Sequence, residues 1–571
     1  MKKREADFAW IVRWLAIGTA MVALLLTASC TTADVHYRGS TFEQGHCGTP
    51  AAPAQIDART VTGSFHNFEE SHPAETLKCS VQSYNKGHPV AYDLAFVELL
   101  DRGSTPVEAA QQADLQAYLD AQPKQPLSVY VFVHGWRHNA ALGDEDVARF
   151  HTILALMKSY WNQAGQPDRK VLGVYIGWRG LAVAEPGWGE AIDTVLAMPS
   201  FPGRKSQSDR NAQRLETLLL DLESKMNARS STSEFSQLVV IGHSLGGNMV
   251  LRATRPTLVN RLQRARQGEK IPGVGSLVVL LNPASELTEW MALQRASRLH
   301  ADIAEPDRNS YLTPNECEAL SAGASTESKR RCANEGTAWI YPPEQLPVVV
   351  SFTASEHFNK VSRTAGATDL ATSIAFPMSQ HLFRWPRESS DLVALGHALP
   401  VRAFGADGRP DRAAPGNRLY GVTHEMEVNS SAKGAARYGD VLRDAEASRG
   451  FCEANQRLIQ ASIQNAVDAA RIANPASRGR GWNQEDLWLD RRRQVLQLNV
   501  KHEAARGRCA ASSASQVEAG CADIAGGRQV PRLGDVHDPY WNIGVHPNLI
   551  ESHGRYVSQN LWCFVHGLAT P

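Results

Sequence analysis

The sequence predicts an α/β fold built on a mainly parallel sheet flanked by helices. Short apolar runs rich in β-branched residues recur at residues 128–133, 171–176, 238–241, 276–281 and 348–352. Runs of this kind are typical of parallel strands that are buried on both faces. Segments with helical spacing alternate with them, as βαβ units require. In such sheets the functional residues gather at the carboxyl ends of the strands.

The first 29 residues are predicted to be a lipoprotein-type signal peptide. A positive start at residues 2–4 precedes an apolar run at 14–26, and small residues then lead to Cys30. These are the three parts of an export signal. The segment resembles a bacterial lipoprotein signal, which implies lipidation of Cys30 and attachment to an envelope membrane, periplasm-facing or outer. Ordinary signal cleavage and an uncleaved anchor are the alternatives, and both still export the chain.

The cysteine count agrees with an exported protein. Of nine cysteines, those other than Cys30 form an even set that lacks any C-x-x-C pair, so disulfides are favoured over zinc or redox motifs. Proximity along the chain suggests the pairs Cys47–Cys79, Cys317–Cys332 and Cys509–Cys521, with Cys452–Cys563 left over.

Charge and length limit the class of protein. Lys plus Arg equals Asp plus Glu at 59 each, so net charge does not indicate a nucleic-acid partner. A chain of 571 residues is longer than a domain with a single hydrophobic core usually is. The predicted organisation is a tether and loop-rich region at 30–88, a core at 89–378 with an insertion at about 287–347, a helical insertion at 379–534, and a return to the core at 535–571.

The helical insertion rests on two stretches. Apolar residues recur at helical spacing between Ile459 and Ala470, and a cap-like signal at Asn483 opens a second helix that reaches about Val500. An insertion at this place is interpreted either as a cap over the active site or as a peripheral structural subdomain.

The core is predicted to begin with a strand at 91–100 and a helix at 107–121 between two prolines. The strand at 128–133 then ends in His134-Gly135-Trp136-Arg137-His138. Two histidines four residues apart could ligate zinc on a helix, but the glycine turn between them disfavours a helix. After the strand at 171–176 comes Trp178, which is expected either to line an acyl pocket or simply to pack.

The segment from Leu238 to Thr254 has the pattern of a nucleophile elbow. A buried strand runs directly into Gly242-His243-Ser244-Leu245-Gly246, and helical spacing follows. A G-x-S-x-G turn between a strand and a helix exposes the serine hydroxyl at the edge of the sheet. The oxyanion hole of such sites uses the amide after the nucleophile and one from an earlier loop. Here these are the amides of Leu245 and Trp136.

A serine nucleophile also needs a histidine base and a carboxylate to orient it, in the chain order serine, acid, histidine. Glu356 follows the strand at 348–352, Asp369 lies further along, and Glu286 follows the preceding strand. The downstream histidines are His397, His424, His537, His546, His553 and His566. Spacing alone does not choose among them.

The motifs together resemble the α/β-hydrolase superfamily on its esterase and lipase side. They are similar to a group of microbial serine hydrolases that shares the stretches at residues 134–140, 177–180, 242–247, 282–284, 369–377 and 538–553. The resemblance implies an α/β-hydrolase fold, with Ser244 as nucleophile, Asp369 as acid and His553 as base. Glu356 stays the alternative acid.

The resemblance implies ester hydrolysis through an acyl-enzyme, with a small-molecule or lipid ester as substrate. No metal or organic cofactor is implied. A lipase or phospholipase at the envelope is the variant suited to a membrane-tethered enzyme. A peptidase on the same fold and a non-catalytic envelope protein on a hydrolase scaffold are the rivals, since a fold does not fix a function.

Overall fold

The structure is a computed structural model, and it describes a subset of the chain. The described residues are 35–39, 42, 46–57, 74–141, 143–181, 200–230, 235–265, 270–290, 292–293, 347–354, 395, 399–400, 420–422, 424–426, 436–446, 521–524, 528–531, 539–545, 549–551 and 553–569. Several predicted features lie outside these residues: the signal segment with Cys30, the candidate acids Asp369 and Glu356, and the two helical stretches between 459 and 500.

The strands number fifteen in the described part of the chain. They are β1 (Gly48–Thr49), β2 (Ala52–Ile56), β3 (Val81–Tyr84), β4 (Tyr92–Leu99), β5 (Leu127–Val133), β6 (Lys170–Trp178), β7 (Gln237–His243), β8 (Leu277–Leu281), β9 (Val349–Ala354), β10 (Leu399–Pro400), β11 (Tyr420–Val422), β12 (His424–Met426), β13 (Cys521–Ile524), β14 (Arg528–Pro531) and β15 (Tyr540–Val545).

Seven helices accompany them among the same residues. They are α1 (Ala74–Leu77), α2 (Pro106–Ala121), α3 (Glu145–Gln163), α4 (Phe201–Arg229), α5 (Leu245–Arg264), α6 (Tyr438–Glu446) and α7 (Gln559–Ala569). Thr105 caps α2 by accepting from the Glu108 amide, and Pro106 occupies its first turn, where a missing N–H does no harm. Asp144 caps α3 in the same way.

One eleven-stranded sheet organises the molecule, in the order β1-β2-β3-β4-β6-β5-β7-β8-β9-β15-β12. All pairings from β4 to β12 across this order are parallel, whereas β3 runs antiparallel to β4. The prediction of an α/β fold on a mainly parallel sheet is therefore confirmed. Consecutive strands joined through helices bring all their carboxyl ends to one edge.

Both faces of the sheet are covered, so its strands are apolar on both sides. Side chains such as Tyr130 and Phe132 pack in one core cluster with α3 and α7. Their neighbours Val129 and Val131 pack in a second cluster with α2, α4 and α5. Burial on both faces explains why the predicted strands read as continuous apolar runs.

Residues 30–88, expected to be loop-rich, contribute β1, β2 and β3 to the edge of the sheet. The predicted disulfide between Cys47 and Cys79 is confirmed and joins this region to itself, with the two Cα atoms 5.7 Å apart. Cys563 is also disulfide-bonded. No helix in the described part of the chain is both long and apolar enough to cross a membrane.

Parts of the 379–534 insertion contact the core. Strand β12 extends the sheet beside β15, and helix α6 lies on the core through Tyr438. The Tyr438 hydroxyl is 2.8 Å from that of Tyr92 and accepts a hydrogen bond from Asn85 at 2.8 Å. Helix α6 therefore covers part of the core. The two interpretations of the rest of the insertion, a cap over the active site or a peripheral subdomain, both stay predictions.

Candidate active site

Ser244 occupies a strained turn between β7 and α5, with φ 54° and ψ −119°. A non-glycine residue in this region carries about 1–3 kcal/mol of strain and persists only where neighbours hold it. Three backbone hydrogen bonds do so: the Ser244 amide donates to the Leu281 carbonyl at 3.0 Å, and the Ser244 carbonyl accepts from Asn248 at 3.1 Å and from Ala284 at 2.9 Å.

The glycines around Ser244 allow three backbone segments to approach closely. A Cβ on Gly242 would lie 2.7 Å from the Gly246 carbonyl oxygen, and a Cβ on Gly135 would lie 2.9 Å from the Ser244 Cβ. Such distances are too short for a side chain, so only glycine fits at these places. The turn after β5 therefore lies directly against the turn that holds Ser244.

The turn after β5 holds the amides on either side of Trp136 and leaves that of Trp136 open. The Gly135 amide donates to Asp146 at 3.3 Å, and the Arg137 amide donates to the Gly180 carbonyl at 3.1 Å. Within the described residues, neither the Trp136 amide nor the Leu245 amide has a hydrogen-bond partner. Two free N–H groups next to the elbow are what an oxyanion hole requires.

His134 and Trp178 lock this turn to the end of β6. The His134 Nε2 accepts from the Trp178 amide at 2.9 Å, and the Trp178 indole donates to the His134 carbonyl at 2.9 Å. The His134 Nδ1 lies 2.9 Å from the Gly135 carbonyl, so it carries the ring hydrogen. Trp178 is 2 % exposed, so of its two expected roles the structure favours packing.

The zinc interpretation of His134 and His138 does not fit this geometry. Both ring nitrogens of His134 are already hydrogen-bonded. The His138 Nδ1 is 3.2 Å from Asp144, and its Nε2 is 3.7 Å from Asp146. Each His138 nitrogen therefore faces a carboxylate. We assign a structural role to both His134 and His138.

These two histidines differ in charge: one is neutral and the other is a cation. Complete burial lowers the pKa of His134 to about 4 and keeps the ring neutral. Burial alone would also lower the pKa of His138, but Asp146 and Asp144 raise it to about 9. His138 is therefore a cation at neutral pH, and its charge helps to hold the two acidic side chains at the start of α3.

His138 should make stability fall as the solution becomes alkaline. Because its pKa is about 9 when folded and about 6.5 in an unfolded chain, the folded state keeps a proton that the unfolded state releases. Its contribution, at most about 3 kcal/mol, is complete below pH 6.5 and is lost as pH rises through 9. Urea unfolding at pH 6.5 and 9.5 measures this difference. His138→Gln should flatten it, and an unchanged slope in that variant would contradict the assignment.

His553 lies on the loop that returns from β15 to the elbow. Its backbone carbonyl accepts hydrogen bonds from His243 Nε2 and Asn282 Nδ2, each at 3.0 Å. The His553 and His243 rings are 5.2 Å apart between centroids. His553 makes no hydrogen bond to the Ser244 hydroxyl in this structure; catalytic hydrogen bonds often form only with substrate bound. His553 is thus placed beside His243, the residue that precedes Ser244.

The other downstream histidines differ in position. His566 is buried in α7 and packs edge-on against Trp161 of α3, with ring centroids 4.8 Å apart. His424 lies in β12. His397, His537 and His546 fall outside the described residues. Of the histidines that are described, His553 is the one whose backbone is tied to the elbow.

Glu286, the third candidate acid, is held by two cations. Its carboxylate lies 2.7 Å from Lys205 and 3.2 Å from Arg252. Burial would raise the pKa of Glu286, but these cations lower it to about 2. Its carboxylate oxygens already serve ion pairs to α4 and α5, which leaves Asp369 and Glu356 as the two acids in question. Both lie outside the described residues.

A buried network beside the elbow was not foreseen from the sequence. It consists of Asp146, His243, Asn282 and Tyr556, each at most 7 % exposed. Two of these residues had a sequence signal, because His243 lies inside the G-x-S-x-G turn and Asn282 opens the turn after β8. Asp146 and Tyr556 are far apart in the chain, so only the fold brings them together.

The sequence matches no protein-family model, and the comparisons with curated proteins and with solved structures find no similar protein. The interpretation of the site therefore rests on its own residues and their geometry.

Proposed function

We propose that the protein is a serine hydrolase of the α/β-hydrolase fold that cleaves carboxylic esters through an acyl-enzyme. The observation that carries the proposal is Ser244 itself. It sits at a strained strand-to-helix turn near the middle of the parallel strands. Beside it lie the amides of Trp136 and Leu245, which have no hydrogen-bond partner among the described residues. Strained residues of this kind cluster at functional sites.

In the proposed mechanism Ser244 Oγ attacks the ester carbonyl while His553 takes its proton. The Trp136 and Leu245 amides hold the negative oxygen of the tetrahedral intermediate, and α5 adds the positive end of its dipole. His553 then protonates the leaving alcohol, and water resolves the acyl-enzyme by the same steps. Asp369 orients His553, with Glu356 as the alternative acid.

The turn at Gly135-Trp136 after β5, called the oxyanion turn from here on, has surroundings that support an acyl substrate. The Trp136 ring is partly exposed and packs edge-on against Phe201 at the start of α4, with centroids 5.3 Å apart. Aromatic surface of this kind suits the apolar part of an ester. The proposal needs no metal or organic cofactor, because serine, histidine and backbone amides supply every step.

The proposal places the enzyme in the bacterial envelope. It includes export by the segment at 1–29 and a lipid anchor on Cys30, both supported by the sequence pattern alone. A membrane-tethered enzyme would meet lipid esters readily, so lipase or phospholipase activity is the variant of the same chemistry that the anchor favours.

A substrate series tests this proposal. The purified protein should hydrolyse p-nitrophenyl esters from acetate to palmitate, and it should leave the matching p-nitroanilides intact. Short-chain preference would indicate a carboxylesterase, and long-chain preference a lipase. Turnover of the anilides would point to a peptidase. Failure with every ester and anilide would contradict the proposal and favour the non-catalytic alternative.

A further inference from the structure

Asp146 lies in the first turn of α3 and touches the segments that carry the proposed catalytic groups. Its Oδ2 accepts from His243 Nδ1 at 3.1 Å and from the Gly135 amide at 3.3 Å. Its Oδ1 accepts from the Tyr556 hydroxyl at 2.8 Å and from Arg149 at 2.7 Å. The side chain is completely buried. One carboxylate therefore joins the oxyanion turn, the elbow and the loop of His553.

His243 extends this connection to the base. While its Nδ1 faces Asp146, its Nε2 lies 3.0 Å from the His553 carbonyl oxygen. A carboxylate and a carbonyl are both acceptors, so each ring nitrogen of His243 faces an acceptor. The His243 ring also packs on Tyr556, with centroids 4.6 Å apart. His243 thus contacts the loop at two residues, His553 and Tyr556.

The charges around Asp146 keep it ionised. Burial alone would raise the pKa of Asp146, but His138, His243 and Arg149 hold it well below the usual range. An ionised, buried carboxylate makes strong charge-assisted hydrogen bonds at fixed geometry. If its partners shifted, a buried charge would be left unpaired, which would strongly destabilise the folded state.

We propose that Asp146 and His243 act as a clamp, a pair of positioning residues that fixes the His553 loop and the Gly135-Trp136 turn relative to Ser244. The clamp rests on the proposed function, since positioning matters where Ser244 and His553 react. Neither member touches the reacting atoms. Asp146 orients the Trp136 amide through Gly135, and it orients the base through His243.

Two substitutions of His243 separate positioning from space filling. Asn places its amide nitrogen near the position of Nδ1, so His243→Asn keeps the bond to Asp146 and loses the one to the His553 carbonyl. Gln reaches to the position of Nε2, so His243→Gln keeps the bond to that carbonyl. Both are small polar amides that replace a buried ring, so both should lose stability to a similar extent. Thermal unfolding of each variant checks this match.

His243→Asn should lower kcat for a p-nitrophenyl ester by about 10- to 100-fold and change KM less than about threefold, by analogy with partners that orient metal ligands. His243→Gln should lose clearly less kcat than His243→Asn, because it keeps the bond to the His553 carbonyl. Equal losses in the two variants of matched stability, or a change confined to KM, would overturn the clamp. Asp146→Ala should lose at least as much kcat as His243→Asn, because it also removes the acceptor of the Gly135 amide.

Hydrogen exchange tests the clamp without turnover. The backbone amides at 553–558 should exchange faster in His243→Asn than in the wild type or in His243→Gln. Unchanged exchange in His243→Asn would overturn the clamp even if the enzyme is active. Conversely, a wild type that turns over no ester would end the proposed function, whereas the exchange difference would still establish the clamp.

Discussion

Replacing Ser244 by alanine is expected to lower kcat for ester hydrolysis by about 10⁵- to 10⁶-fold, as loss of a serine nucleophile does elsewhere. The hydroxyl is the only group proposed to form the covalent intermediate, and the amides of Trp136 and Leu245 alone would leave weak residual catalysis. The measurement is the steady-state rate on the best p-nitrophenyl ester, with variant and wild type at equal concentration.

Ser285→Ala is the matched control for this substitution. Ser285 lies at the same edge of the sheet, completely buried, one residue beyond Ala284. Among the residues that the structure describes, its hydroxyl has no hydrogen-bond partner. Losing it should leave both activity and stability nearly unchanged. If Ser244→Ala kept wild-type activity, or if Ser285→Ala lost as much, Ser244 would not be the nucleophile.

Gly246→Ala is expected to destabilise the protein by about 4 kcal/mol or more and to abolish activity with the fold. A Cβ at this position would collide with the carbonyl oxygens of Val133 and His134. Both obstacles are backbone atoms at the end of β5, so no side-chain rotation can relieve the collision. The elbow would have to move away from the oxyanion turn. Urea unfolding at neutral pH measures the loss.

Gly567→Ala provides the control for an added methyl group. Gly567 is in helix α7, and no described atom lies within 4 Å of the position that its Cβ would occupy. The substitution should stabilise the helix by about 0.5–1 kcal/mol, because alanine loses less backbone entropy than glycine. If the two variants unfolded at the same urea concentration, the close contact at Gly246 would be refuted.

The parallel strands could be predicted because each is buried on both faces. The run at 238–241 contains no polar residue, and its strand β7 lies in the middle of the sheet. The elbow was equally accessible, since its strand, turn and helix adjoin in the sequence. Ser244 has the strained backbone that the G-x-S-x-G turn demands.

Contacts between distant segments could not be predicted in the same way. Asp146 has no motif of its own, and its role follows from the hydrogen bonds of its side chain to the Gly135 amide and to His243. Strands β1 to β3 were missed because they are short and lie at the edge of the sheet, where apolar runs weaken. Choosing the acid requires the positions of Asp369 and Glu356 relative to His553. Spacing along the chain does not give these positions.

The most direct test of the central claim is to locate the adduct of a fluorophosphonate. Such reagents phosphonylate a serine that an adjacent base activates. After labelling and tryptic digestion, the adduct should appear on the peptide 230–252, and its fragment ions should place it on Ser244. Ser244→Ala should take up no label. A wild type that stays unlabelled, or that carries its label on another residue, would contradict the assignment of Ser244 as an activated nucleophile.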